Sequence, residues 1–250
     1  MNFSKVQVKS DHMKKLIIIS LLFSFVVLSC KKEPDPEPEV IRAFVYLYHF
    51  VPGIESVIWT VDGVQIPENM DYAEYIAGGV ILDASTEEIE FVVKHSASGE
   101  ILASQLLQLV EGKSYTVIIA GTVDEPVLLF NEIDTSMPLS GRIKFQFFHA
   151  AVIQDSIDIY MGGTTPDKRV VTDLGFNKLS DPFQVNDYDA RPDITVTKHS
   201  EEYNQENVLL NSQYNATLVT GANYLTVVAP FTSDTSSELT LWMFALPLEY

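Results

Sequence analysis

Histidines are the residues most able to do chemistry in this chain, and they come in matched positions. His49 and His149 share one local context, and His95 and His199 share another. Imidazoles repeated in this way could hold a metal or move a proton. Yet no second histidine or carboxylate stands at a ligand-like spacing such as HExxH. We therefore expect all of these histidines to be structural, closing strands and satisfying backbone groups. Asn186–Asp193, "NDYDARPD", gathers three aspartates whose oxygens would suit calcium. Arg191 falls where a ligand oxygen is wanted and no closing glutamate follows, so a solvated turn is expected. No nucleophile elbow, phosphate loop or dinucleotide fingerprint is present. No catalytic residue, metal or cofactor is expected, and no enzyme. Tyr72, Tyr75, Tyr188 and Tyr203 lie in irregular stretches. On rigid β-modules, loop tyrosines of this kind are the candidate ligand contacts, with local packing as the favoured alternative.

The elements that must position these residues are repeated. "RAFVYLYHFVPGIESVIWTVDG" at Arg42–Gly63 aligns without a gap with "RIKFQFFHAAVIQDSIDIYMGG" at Arg142–Gly163. "IEFVVKHS" at Ile89–Ser96 matches "DITVTKHS" at Asp193–Ser200, and "LVEGKSYTVIIAG" at Leu109–Gly121 matches "LVTGANYLTVVAP" at Leu218–Pro230. Ordered matches over such length indicate two copies of one module. Val57, Trp59 and Val61 alternate on one face, as do Ile157, Ile159 and Met161. "VDGV" at Val61–Val64, and Gly112 and Gly221 ahead of apolar runs, signal hairpins and turns. The pattern predicts an all-β protein of two tandem sandwich modules, residues 41–138 and 140–250, with Pro138 and Gly141 marking the boundary. Trp59 is expected in a core, and Ile58, an apolar residue on an outward face, against the second module. A short helix is expected over Pro67–Ile76.

The strand ending in histidine, then "SIDIYMGG", then "EGKSYTVIIAG", resembles domain-of-unknown-function family 4397. The resemblance spans nearly all of residues 41–250. It implies immunoglobulin-like or transthyretin-like β-sandwiches in an exported bacterial protein, and brings no catalytic residues. The first copy departs from the pattern at Phe50-Val51-Pro52 and at Ile58, where the second copy has Asp158.

The amino-terminal region reads as an address. Lys14 and Lys15 precede "LIIISLLFSFVVLS", the pattern of a secretory signal, and the run is too short to span a bilayer comfortably. It ends at Val27-Leu28-Ser29-Cys30, which resembles the bacterial lipoprotein lipobox. That resemblance implies cleavage of residues 1–29, from a start at Met13, and lipidation of Cys30, the chain's only cysteine. One acyl chain holds a membrane only reversibly, so stable anchoring requires two or more. Residues 30–40, with Pro34, Pro36 and Pro38, then form a semi-rigid tether extending roughly 3.1 Å per residue. Without disulfides, the modules must rest on apolar cores.

The whole chain carries a net charge of −18; residues 1–29 hold four lysines and one aspartate, so the remainder carries −21. Such a surface repels phosphate backbones and excludes nucleic-acid binding. Lys31 after the cysteine is unlike the aspartate of an inner-membrane retention signal, and the charged residues there resemble the export signals of surface lipoproteins; the expected place is the outer membrane, facing the cell surface, with an inward-facing orientation as the alternative. The expected function is a non-catalytic adhesion or binding module for glycan, protein or matrix. The alternatives are a structural spacer or assembly subunit with no ligand, and, behind it, an enzyme accessory.

Overall fold

The structure is a computed structural model that describes residues 42–76, 79–83, 88–152, 156–186, 193–200, 202–212, 218–235 and 238–248. Cys30, the tether, Tyr188 and residues 187–192 of the aspartate-rich loop lie outside the described residues. Residues 41–250 form one compact unit. Among the described residues no helix is long and apolar enough to cross a membrane.

The first copy supplies β1 (Arg42–His49), β2 (Ser56–Val61), β3 (Val64–Gln65), β4 (Met70–Asp71), β5 (Val80–Asp83), β6 (Ile89–His95), β7 (Ile101–Leu107), β8 (Ser114–Gly121) and β9 (Pro126–Glu132). The second supplies β10 (Arg142–His149), β11 (Ser156–Met161), β12 (Arg169–Gly175), β13 (Phe183–Asn186), β14 (Ile194–Lys198), β15 (Val208–Ser212), β16 (Asn223–Pro230) and β17 (Leu239–Leu246). The all-β expectation holds. Each sheet draws its strands from one copy: β5-β1-β8-β9 and β3-β2-β6-β7 in the first, β13-β10-β16-β17 and β12-β11-β14-β15 in the second. In both copies the opening strand runs parallel to the penultimate one, β1 with β8 and β10 with β16. The Val61–Val64 hairpin forms as read, with Asp62 and Gly63 at positive φ, the backbone that a tight β2–β3 turn requires.

Each pair of sheets encloses a core. In the first, Val45, Leu47, Val117 and Ile119 meet Val57, Trp59, Phe91 and Val93. In the second, Phe145, Phe147 and Val228 meet Ile157, Ile159 and Val196. Trp59 is fully buried, as alternation on β2 predicts.

A third core joins the copies. The other faces of β1 and β8 carry Tyr48, Ile118 and Ala120; those of β10 and β16 carry Phe148, Leu225, Val227 and Ala229. With Phe50, Ala150 and Phe244 they form one cluster. Strands buried on both faces read as continuous apolar runs, which explains "YTVIIAG" and "LTVVAP". The equivalent patches of the two copies thus pack on each other, the arrangement of an isologous dimer within one chain. Each large side chain so buried contributes about 1.5–3 kcal/mol. Ile58 is outside this cluster, contrary to expectation, because β2 belongs to the sheet on the far side of its module.

The connection between copies is pinned. Lys144, almost fully buried, donates to Asp134 Oδ2 at 2.8 Å, Asp134 O at 3.2 Å and Ser136 Oγ at 2.9 Å. Asn223 Nδ2 also donates to Asp134 O, at 3.0 Å. Burial alone would raise the Asp134 carboxyl's pKa, but the bonds from Lys144 and Ser136 outweigh it and leave the carboxyl lowered.

Candidate ligand groove at the module junction

The expected helix over Pro67–Ile76 does not form. Tertiary hydrogen bonds claim its donors: Tyr72 N binds Glu55 O at 2.8 Å, and Ala73 N binds His49 O at 2.8 Å. Met70–Asp71 pair with β2, and Tyr75 bridges to Tyr48. Ala73 adopts φ 62° to make this turn.

His49 organises the neighbourhood. It is fully buried; its Nε2–H donates to Ile54 O at 3.0 Å and its Nδ1 accepts from Val51 N at 3.3 Å. Its own N–H binds Glu74 O at 3.2 Å. Burial lowers its pKa to about 4, despite the Ile54 carbonyl that favours a proton, so the ring is neutral. His149 repeats the arrangement, accepting from Ala151 N at 3.2 Å, with Asn177 N bound to its carbonyl and its own N–H bound to Lys178 O. Both rings brace an aromatic edge-on, Tyr72 for His49 and Phe176 for His149, each at 5.9 Å between centroids.

The braced loop forms one side of a groove of about 790 Å³, within the range of small-ligand sites. Ile66, Pro67, Glu68, Glu74, Tyr75 and Ile76 come from the first module, and Trp242 and Phe244 from β17 of the second. The aromatic wall is interlocked. Tyr75 stacks on Tyr48 at 5.7 Å and meets Phe244 edge-on at 5.0 Å; Tyr48 meets Phe244 at 5.1 Å. Trp242 stacks on Phe231 at 6.1 Å and donates Nε1–H to Pro230 O at 3.4 Å. Such mutual packing fixes the rings before any ligand arrives.

The sequence-nominated tyrosines separate. Tyr75 is 39% exposed and lines the groove. Tyr72 fastens the modules: its hydroxyl donates to Pro230 O at 3.1 Å, and burial raises its pKa. Tyr203 sits elsewhere, edge-on to Tyr160 at 5.7 Å, donating to Gln205 Oε1 at 2.6 Å. Tyr188 lies outside the described residues. Sequence reasoning missed Trp242, Phe244, Glu68 and Glu74. The available signal was "LTLWMFAL", apolar on both faces of one strand, which demands a second partner surface.

The other histidine pair differs between copies. His95 Nδ1 accepts from Ala97 N and Ser98 N at 3.1 and 3.3 Å, closing a hairpin turn. His199 Nδ1 meets Asp158 Oδ1 at 2.9 Å, and the hydrogen bond to that carboxylate raises its pKa. Asp158 is fully buried and also accepts from Asp173 N at 2.9 Å and Ser200 N at 3.2 Å, with Arg169 Nη1 at 3.7 Å from Oδ2. This network is satisfied and closed, and it replaces Ile58 of the first copy. Among the described residues, no three His, Cys, Asp or Glu converge on a metal-sized site.

A comparison with curated proteins finds no match. A model of the family described as a domain of unknown function (DUF4397) matches residues 43–160, from β1 to β11. That is narrower than the span of the repeat, ending within β11, the second strand of the second copy. Over those residues the chain is similar to DUF4397, the family that the strand and turn motifs resemble.

Proposed function

We propose that this chain is a cell-envelope lipoprotein, held to the outer membrane through Cys30 and facing outward, that binds a ligand without catalysis. The ligand site is the groove between Tyr75 and Trp242. One observation carries the reading: equivalent surfaces of the two copies pack together, yet among the described residues the first loop's tip stands beside Trp242 and Phe244 at an open groove, where the second copy has Asn131 in place of Phe244. Rigid aromatic surface supplies contact area at little cost in conformational entropy.

The test uses intact cells displaying the full chain. Tyr75→Ala and Trp242→Ala should abolish retention of those cells on matrix or glycan surfaces that hold wild type, with surface display unchanged. Retention equal to wild type would remove the groove from function. The pinned linker, with Lys144 on Asp134 and Ser136, favours a second reading as a rigid spacer. In that case crosslinking on cells should return a stable envelope subunit and groove substitutions should have no effect.

A further inference from the structure

We infer that the groove selects an organic cation, an alkylammonium group carried on an apolar stem; this rests on the groove being the ligand site. Its lining combines Tyr75, Trp242 and Phe244 with two acidic residues, Glu68 and Glu74, the second accepting from Asp71 N at 3.0 Å through Oε2, and includes no lysine, arginine or histidine. Ring faces carry negative quadrupole potential and attract cations, most strongly where water is partly excluded. The carboxylates add charge of the same sense at the same place. A net charge of −21 beyond residue 29 extends that field and concentrates cations near the surface. A neutral sugar would stack on the rings but gain nothing from the field, and an acidic sugar would be repelled.

The second copy supplies an internal control. His49 and His149 bind equivalent loops, so Tyr72, Ala73, Glu74 and Tyr75 correspond to Phe176, Asn177, Lys178 and Leu179. Ala73 and Asn177 share a positive φ, 62° and 57°. The carboxylate of Glu74 is thus replaced by an ammonium, and the ring of Tyr75 by an aliphatic chain. Across the junction, Leu225 pairs with Phe244 while its equivalent Thr116 pairs with Asn131. Asn131 Nδ2 then donates to Gln146 Oε1 at 3.3 Å and Gln146 Nε2 to Ser180 O at 3.0 Å, closing that side with hydrogen bonds. At the loop tips themselves, the pairing of a carboxylate with an aromatic ring belongs to the first copy alone: Glu74 and Tyr75 stand where the second has Lys178 and Leu179.

The chain has two tryptophans; Trp59 is fully buried in the first core and Trp242 lines the groove, so emission changes report on the groove. The probe is tetramethylammonium chloride titrated into the full chain, with sodium chloride at equal ionic strength and glucose as comparison arms. A saturable change is expected with tetramethylammonium alone. Replacing Glu68 and Glu74 together by glutamine should weaken it about tenfold or more with the unfolding midpoint close to wild type, and Tyr75→Ala should abolish it in protein shown to be folded. A lysine side chain in a peptide should compete if the natural ligand is a protein. No saturable change with tetramethylammonium, or equal affinity in the double glutamine variant, would overturn the cation assignment. A glucose response in its place would keep the groove as a ligand site, whereas unaltered cell retention in Tyr75→Ala would remove the site itself.

Discussion

The two loops braced by His49 and His149 have one backbone and opposite chemistry. Each leaves its histidine through a positive-φ residue, Ala73 or Asn177, and returns to bridge the opening strand at Tyr75 or Leu179. The first presents Glu74 and Tyr75 beside Trp242 and Phe244; the second presents Lys178 and Leu179 beside Asn131 and Gln146. Equivalent scaffolds with divergent tips separate what the fold requires from what it leaves free. The histidine, the turn and the bridge are required, since both copies keep them. Ring and charge at the tip are free to change, and it is there that the copies part.

Perturbing what the copies share should have the largest effects. Phe148 is fully buried in the joint core. Phe148→Ala should cost about 3–5 kcal/mol in a denaturant titration and loosen both modules together. A loss confined to the second module would show that the joint core does not couple them.

The histidine brace is next. His49 has a pKa lowered to about 4 in the fold, against 6.5 for an unperturbed ring. Between these values the unfolded chain binds the proton and the folded chain does not, so stability falls as pH drops from 6.5 to 4 and then levels. The limiting loss from His49 is about 3 kcal/mol. His199 has the opposite sense: its pKa is raised, so its contribution is present below 6.5 and fades as pH climbs through the raised value. His49→Gln should flatten the acid limb of the stability profile. An unchanged limb would mean that His49 is not the titrating brace.

The repeat, the strand-rich pattern and the buried Trp59 were legible in the sequence because alternation and turn residues are local signals. The junction was not. Tyr48, Ile118 and Val227 read as ordinary strand residues, and nothing in their spacing states that a second face is covered by the other copy. Ile58 shows the same limit: its outward apolar side chain points in the sequence to an interface that another sheet supplies. The helix over Pro67–Ile76 failed because Glu55 and His49, distant in sequence, captured its donors. Tyr75 was nominated from loop position alone, while its partners Trp242 and Phe244 lie on a strand and become site residues only after the modules dock.

Two smaller effects sharpen the division between fastening and binding. Tyr72→Phe removes the hydroxyl that reaches Pro230 across the junction and should cost about 1 kcal/mol in chemical denaturation. Tyr48 is buried, and its hydroxyl has no hydrogen-bond partner among the described residues. Tyr48→Phe should therefore be neutral or slightly stabilising by the same measurement. A clear loss would reveal a partner for that hydroxyl.

The central claim is that the tip of the first loop, not the shared scaffold, carries function. Its most direct test gives the first loop the chemistry of the second, through Glu74→Lys together with Tyr75→Leu in the displayed full chain. The account predicts an unfolding midpoint within a few degrees of wild type, an effect of about 1 kcal/mol or less, with cell retention and the tetramethylammonium response both lost. Full retention by a folded, displayed double variant would contradict it.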